Sequence, residues 1–338
     1  MRLPRFQPLQ PKSIEEAAEF LGKYGGRAEI MAGGTDLFPR IKYGVASPEV
    51  VITLRKLSRE SQIVIQDGFL SIDSVTTLSQ VVRSELVREH VPLLADAALA
   101  VGSHQIRNMG TLGGNLCLES RCTYYNQSHA FQFVEPCFKR GGEICYHVPK
   151  GKRCWAVFNG DTVPALMCLG AEVEIRTATD SRRVSIDQLY TGNSLRPLAI
   201  SPMEIVSKIL LPKPSERTRW AFAKFSLRGG LEFAGLSVAV LLEMMDDGLT
   251  CTGGRMVVGS VSSQPLRAKK AEKALSGKKL SNDLFYEIAE TISEDVKPFS
   301  HHGYSASYLK KCLKIQVKDA LALASQRVPQ SPMNPREL

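Results

Sequence analysis

The chain has 338 residues, of which 43% are hydrophobic and 23% charged, and its formal net charge is +9. That is the make-up of a globular protein of two or three domains, able to bury large cores without covalent staples. No run nears the ~18 apolar residues of a membrane helix, and Met1-Arg2-Leu3-Pro4-Arg5-Phe6 lacks the apolar stretch of a secretory signal, so a cytoplasmic protein is expected.

Ser13-Ile14-Glu15-Glu16 has the form of a capping box, and Ile14, Ala17, Ala18 and Leu21 recur at helical spacing up to Gly25-Gly26. A short apolar strand around Ala28 to Met31 runs into Ala32-Gly33-Gly34-Thr35-Asp36-Leu37. A helix to Tyr43, closed by Gly44, and the strand Val50 to Leu54 follow. Asp67-Gly68, between Ile63–Ile65 and Phe69–Ile72, signals a hairpin. Thr77 to Gln80 is a second capping box, and Val91 to Val101 reads as helix before Gly110-Thr111-Leu112-Gly113-Gly114-Asn115. Residues 118 to 155 follow neither period. Strands return at Ala171–Thr177, Arg183–Ile186 and Glu204–Leu211, and Pro212 to Pro214 marks a boundary. Beyond it, Trp220–Leu227, Ala234–Met245 and Leu249–Val261 form a three-stranded antiparallel meander, followed by helices over 265–276, 282–294 and 304–325 and a frayed tail from Arg327 to Leu338.

The basic excess is dispersed, with clusters only at Lys139-Arg140, Lys150 to Arg153, Lys269-Lys270 and Lys310-Lys311. A nucleic-acid binder would gather it into a stripe interleaved with aromatics. The clusters read as solvated surface or as a docking face for an acidic protein.

The two glycine loops are neither a P-loop nor a Gly-x-Gly-x-x-Gly fingerprint. Adjacent glycines nevertheless let backbone N–H groups approach a pyrophosphate, and each loop adds a threonine hydroxyl. Ala32 to Leu37 and Ile106 to Asn115 resemble the two FAD-pyrophosphate loops of the medium, FAD-binding subunit of molybdenum hydroxylases, the xanthine dehydrogenase and carbon monoxide dehydrogenase family. Asn159-Gly160-Asp161-Thr162-Val163-Pro164-Ala165-Leu166 is similar to that family's Ser-Asp-x-x-Pro-Ala-Leu segment, and Lys224 falls where the family has a lysine near the isoalloxazine ring. In isolation, Asp161 could equally cap a helix and Lys224 could be an ordinary strand residue. The resemblance covers nearly the whole chain. It implies an α+β fold with a two-part FAD-binding domain of the PCMH type, 1–55 and 56–212, then a C-terminal α+β domain, 213–326. It also implies cofactor contacts from Ala32, Gly33, Gly34, Thr35, Asp36, Leu37, Gly102, Ile106, Asn108, Gly110, Thr111, Gly113, Gly114, Asn115, Asp161, Val206 and Lys224.

The family's Gly-Gly-Asn loop leads quickly to its Asp-x-x-Pro-Ala segment, whereas here an insertion at about 118–157 intervenes. It holds Cys122, Cys137, Cys145 and Cys154, separated by 14, 7 and 8 residues. An irregular stretch of this length normally argues against a compact domain, unless something ties it down. Four thiolates suit a [4Fe–4S] cluster. They would also suit zinc, but zinc cysteines usually pair two to four residues apart, and no Cys-x-x-Cys occurs here. Unconnected thiols are the remaining reading, and His129 and His147 are possible extra ligands. Cys117, directly after the second glycine loop, is expected to be a small packing residue, and Cys168, Cys251 and Cys312, in apolar patterns, are expected in the core.

Within the family, such an insertion resembles the β subunit of 4-hydroxybenzoyl-CoA reductases. That resemblance implies electrons passing from ferredoxin through [4Fe–4S] and FAD to a small two-[2Fe–2S] subunit. They would end at a large molybdopterin subunit, in a dimer of heterotrimers that removes a phenolic hydroxyl. Lys139, Arg140, Lys150, Lys152 and Arg153 would then face the acidic donor. Two alternatives stay open. One is an oxidative hydroxylase subunit whose FAD feeds NAD or a quinone; the other is a metal-stapled interaction module without catalytic electron transfer.

Overall fold

The computed structural model describes residues 3–127, 135–228 and 232–327. His129 and the tail beyond Arg327 lie outside the described residues. Arg327 itself is not frayed. Its guanidinium is ion-paired with Asp96 and lies 5.3 Å from the Trp220 ring centroid.

Three sheets organise the chain. The first is parallel, with β1 (Gln7–Leu9), β2 (Ala28–Met31) and β3 (Val50–Thr53) in the order β1-β3-β2. Its central strand is buried along its whole length, which explains the unbroken apolar run Val50-Val51-Ile52. Ala17, Ala18 and Leu21 of the helix Ile14–Tyr24 pack against Val50 and Ile52. The Ser13 cap is only half the expected box. Ser13 Oγ accepts from Glu16 N, but the Glu16 carboxylate accepts from Lys12 N.

The second sheet is antiparallel, with β4 (Ile63–Gln66), β5 (Phe69–Asp73), β6 (Glu172–Arg176), β7 (Ser181–Ser185) and β8 (Ile205–Pro212) in the order β4-β5-β8-β6-β7. The β4–β5 turn places Asp67 and Gly68 at φ 52° and 78°, the left-handed pair that matches strand twist in a two-residue hairpin. The Thr77–Gln80 capping box is complete.

The third sheet is antiparallel and has five strands where the pattern led us to expect three. To β9 (Thr218–Phe225), β10 (Leu236–Met244) and β11 (Thr250–Gly259) it adds the two-residue strands β12 (Leu266–Arg267) and β13 (Lys278–Lys279), both on β11. Two residues carry no alternation, so these were invisible to periodicity. The helices Lys269–Leu275, Asn282–Asp295 and Ala306–Gln326 cover one face of this sheet.

Period-2 alternation along β9 divides its side chains between two cores. Ala221, Ala223 and Phe225 face the helices of the third sheet. Trp220 and Phe222 face the opposite way, into the core shared with the buried helix Thr162–Leu169, and Lys224 is on their side of the strand. Among the described residues no helix is long and apolar enough to cross a membrane.

Candidate functional site

The two glycine loops meet back to back. A Cβ on Gly33 would lie 1.8 Å from the Met109 carbonyl oxygen, so only glycine permits this approach. Gly34 beside it has φ +72°, a conformation that L side chains rarely adopt. Thr111 Oγ1 accepts from Gly114 N at 3.0 Å, and Ser103 Oγ accepts from Ile106 N at 3.3 Å. Both hydroxyls therefore turn the chain so that the loop closes.

The asparagines serve the scaffold. Asn115 Oδ1 accepts from Thr162 N at 3.0 Å and from Thr162 Oγ1 at 2.7 Å, and Asn108 Oδ1 accepts from Ser79 Oγ at 2.6 Å. Asn115 thereby takes over the start of the helix Thr162–Leu169, and Asp161, although next to that start, makes no capping bond. Its carboxylate is free for another purpose.

That purpose is the pair with Lys224. The ammonium Nζ donates to Asp161 Oδ2 and to the Ala100 carbonyl, each at 2.8 Å. The side chains are 7% exposed for Lys224 and 4% for Asp161. Burial pushes the Asp161 carboxyl above its ordinary range, and Lys224 opposes this. Asp161 Oδ1 and the nearby Asn159 Oδ1 are buried without a partner. So is the hydroxyl of Ser237, which stands opposite Lys224 across β9 and β10. A lone serine inside the apolar run Leu236–Leu242 was the signal for Ser237, and the sequence reading missed it. Val206, by contrast, lies in the core of the second sheet, paired in register with Ile175, and is not brought to the Asp161–Lys224 pair by any described contact. Gly102 has φ +48°, and its carbonyl accepts from Arg107 Nη1 at 3.1 Å. Buried unpaired acceptors beside two glycine loops fit a ligand bearing N–H and O–H donors and a pyrophosphate, as FAD does.

Among its described residues the insertion follows no regular secondary structure apart from a short turn at Phe138–Arg140. Its four cysteines nevertheless converge. Cys122, Cys137, Cys145 and Cys154 line one small cavity together with Tyr124, Tyr125, Lys139, Tyr146 and His147. Burial pushes the Cys122 and Cys154 thiols up, and the charges of neighbouring cysteines push them further. Backbone N–H groups of Tyr124 and Tyr125 act on Cys122, and that of Ala156 on Cys154, in the opposite sense. Among the described residues no group of three or more His, Cys, Asp or Glu side chains is placed to hold a metal ion. The four thiols thus share a cavity without being placed as the ligands of a metal ion. His147 lines the same cavity with Nε2 buried and unpaired. Cys168, Cys251 and Cys312 are buried packing residues. Burial pushes the Cys117 thiol up to about 12.

Two basic residues expected on the surface are not there. Lys139 has only 4% of its side chain exposed and is ion-paired with Glu119, and Arg140 donates to the carbonyls of Tyr125 and Gln127. A dibasic pair in a polar stretch looks solvated until the fold supplies a carboxylate and carbonyls to receive it. Lys150, Lys152 and Arg153 do remain exposed. A further pair that the sequence reading missed, Asp36 with Arg121, joins the first glycine loop to the residue before Cys122.

Residues 4–214 match the family described as the FAD binding domain in molybdopterin dehydrogenase, and residues 220–323 match the CO dehydrogenase flavoprotein C-terminal domain. The chain is 27% identical over 311 residues to the nicotinate dehydrogenase FAD-subunit of Eubacterium barkeri, covering 91% of this chain and 92% of the relative. It is 28% identical over 326 residues to the carbon monoxide dehydrogenase medium chain of Afipia carboxidovorans, covering 95% and 97%. A solved carbon monoxide dehydrogenase of Hydrogenophaga pseudoflava, lacking the Mo-pyranopterin moiety of its molybdenum cofactor, superposes with a TM-score of 0.78 at 25% identity, covering 96% and 98%.

Proposed function

Since the chain belongs to the FAD-binding medium subunits of the molybdenum hydroxylase family, we propose that it is an electron-transfer subunit carrying a [4Fe–4S] cluster beside its FAD. In this reading Cys122, Cys137, Cys145 and Cys154 hold the cluster, and one-electron equivalents enter there from a ferredoxin. They would pass to FAD and leave through a small two-[2Fe–2S] subunit to a large molybdopterin subunit, in a dimer of heterotrimers. The convergence of all four insertion cysteines on one cavity carries the proposal.

A bound flavin exchanges one or two electrons, and so couples one-electron carriers to a two-electron reaction. This chain's residues bind and orient it. The glycine loops receive the pyrophosphate, while the buried Asp161–Lys224 pair presents a fixed carboxylate oxygen to the ring side. The exposed Lys150, Lys152 and Arg153, carried by the same insertion as the cysteines, suit an acidic donor protein. Fed with low-potential electrons, the complex would act reductively, as 4-hydroxybenzoyl-CoA reductases do when they remove a phenolic hydroxyl to give benzoyl-CoA.

A second reading is favoured by the relatives, which include a nicotinate dehydrogenase, carbon monoxide dehydrogenases and a nicotine 6-hydroxylase. Here the FAD would hand electrons outward to NAD or a quinone, and the insertion would be only a loop. Iron, acid-labile sulfide and FAD per chain, measured on anaerobically purified protein with an EPR spectrum after dithionite, separate the two. About four irons, four sulfides and one FAD per chain are expected, with Cys145→Ser losing most of the iron and keeping the flavin. One FAD with neither iron nor sulfide overturns the cluster reading.

A further inference from the structure

The cysteine cavity has one ammonium group in its wall, Lys139, and its nearest described countercharge, Glu119, belongs to the segment that leaves the second glycine loop. The lysine is held from three sides. Its Nζ pairs with the Glu119 carboxylate and lies 5.2 Å from the centroid of the Tyr125 ring, and the rest of its side chain is buried in the cavity wall. Glu119 in turn acts on Asp36, Arg40 and Tyr125. Asp36 is paired with Arg121, and Arg40 makes two hydrogen bonds to Glu29, at 3.0 and 3.1 Å. Asp36 on the first glycine loop thus pairs with the residue before Cys122, and Glu119, two positions earlier, pairs with Lys139.

A buried cation at a ring of thiols must stabilise negative charge there, and a carboxylate touching that cation must reduce the effect. Burying the lysine is costly in itself, and its pair with the partly exposed Glu119 adds little net stability. We propose that Lys139 and Glu119 are a positioning pair that sets the reduction potential of the centre held by the four cysteines, Lys139 raising it and Glu119 lowering it. The inference rests on the cluster reading above. Reduction of such a centre would add one electron, taken from a small iron–sulfur donor protein or a chemical reductant. The added negative charge is met by the ammonium already in place.

The test is an EPR-monitored potentiometric titration of the full chain, purified anaerobically with its FAD, as wild type and as Lys139→Met, Lys139→Arg and Glu119→Gln. Lys139→Met is expected to shift the cluster midpoint to lower potential and Glu119→Gln to higher potential. Lys139→Arg should stay near the wild type, and iron, sulfide and FAD contents should be unchanged. Opposite signs distinguish an electrostatic pair from a merely structural one, which would move both variants the same way or neither. Midpoints that coincide in all four proteins overturn the inference. So does loss of iron in Glu119→Gln, since the pair would then be holding the loop and not the charge. If Lys139→Met alone loses iron, the Glu119→Gln shift decides. Absence of iron from the wild type would instead sink the cluster reading, an outcome distinct from each of these.

Discussion

Lys224→Met removes the only described partner of a carboxylate that is almost wholly out of water. The change leaves Asp161 with both oxygens unpaired, since Oδ1 has no partner to begin with, and it strips the donor from the Ala100 carbonyl. Breaking a buried pair by deleting one partner costs about 3–5 kcal/mol, because the surviving charge is stranded. At about 2–4 °C per kcal/mol for a domain of this size, the apparent melting temperature should fall by roughly 6–20 °C. The double variant Asp161→Asn/Lys224→Met removes the stranded charge and should recover about half of the loss. The deficit should also depend on pH. Burial already raises the folded-state pKa of Asp161 above that of an unfolded carboxyl, and losing Lys224 raises it further. Over the interval between the two values the folded chain binds the extra proton, so stability falls as pH rises through it. Lys224→Met should therefore lose least at about pH 5 and most at about pH 8. Thermal unfolding of the FAD-loaded chain, followed by circular dichroism and by release of flavin fluorescence, measures this. A single variant no less stable than the double one at about pH 8, or a deficit that does not change with pH, would refute the reasoning.

Gly33→Ala places a methyl carbon 1.8 Å from the Met109 carbonyl and forces the two loops apart; a cost of about 1–3 kcal/mol and loss of FAD on gel filtration are expected. Gly22→Ala, in open space on the helix Ile14–Tyr24, is the control and should be stabilising by about 0.5–1 kcal/mol with flavin retained. Asn115→Ala removes the acceptor that starts the helix Thr162–Leu169 and should cost about 0.5–2 kcal/mol in thermal unfolding, with no help from neighbouring Asp161. Reversing Lys150, Lys152 and Arg153 to glutamate should slow stopped-flow reduction by an acidic ferredoxin at low salt, and the difference should close at high salt as screening takes over; equal rates at every ionic strength would remove this face from the docking site.

The elements that were legible in the sequence are those whose signal is local. The hairpin at Asp67-Gly68, the Thr77 cap and the long strands of the third sheet each depend on residues within one or two turns of chain. What escaped depends on where distant segments meet. Lys139 and Arg140 looked like surface because nothing within four residues receives them; their partners Glu119, Tyr125 and Gln127 are 13 to 20 positions away. Arg121 finds Asp36 from 85 positions away. The motifs located Asp161 and Lys224, but only the alternation of β9, which turns Lys224 toward the core shared with the helix Thr162–Leu169, brings them to 2.8 Å. Ser237 was lost inside an apolar strand, where its single hydroxyl does not disturb the pattern.

The same geometry explains how a long irregular insertion can sit between two cofactor segments without breaking the fold. Asn115 and Thr162 are 47 positions apart, yet they are hydrogen-bonded to each other, so the insertion leaves and returns at one point of the scaffold. Lengthening a closed loop from about 6 to about 46 residues costs only about 2 kcal/mol of closure entropy, because the cost grows with the logarithm of length. Part of that is offset where Trp155 packs edge-to-face on Phe299 with ring centroids 4.9 Å apart, and part by the Asp36–Arg121 and Glu119–Lys139 pairs. These contacts tie the insertion to the C-terminal domain and to the first glycine loop at once. A loop anchored only at its ends could not hold four thiols around one cavity. This one is also anchored from the side, at Phe299 and at Asp36.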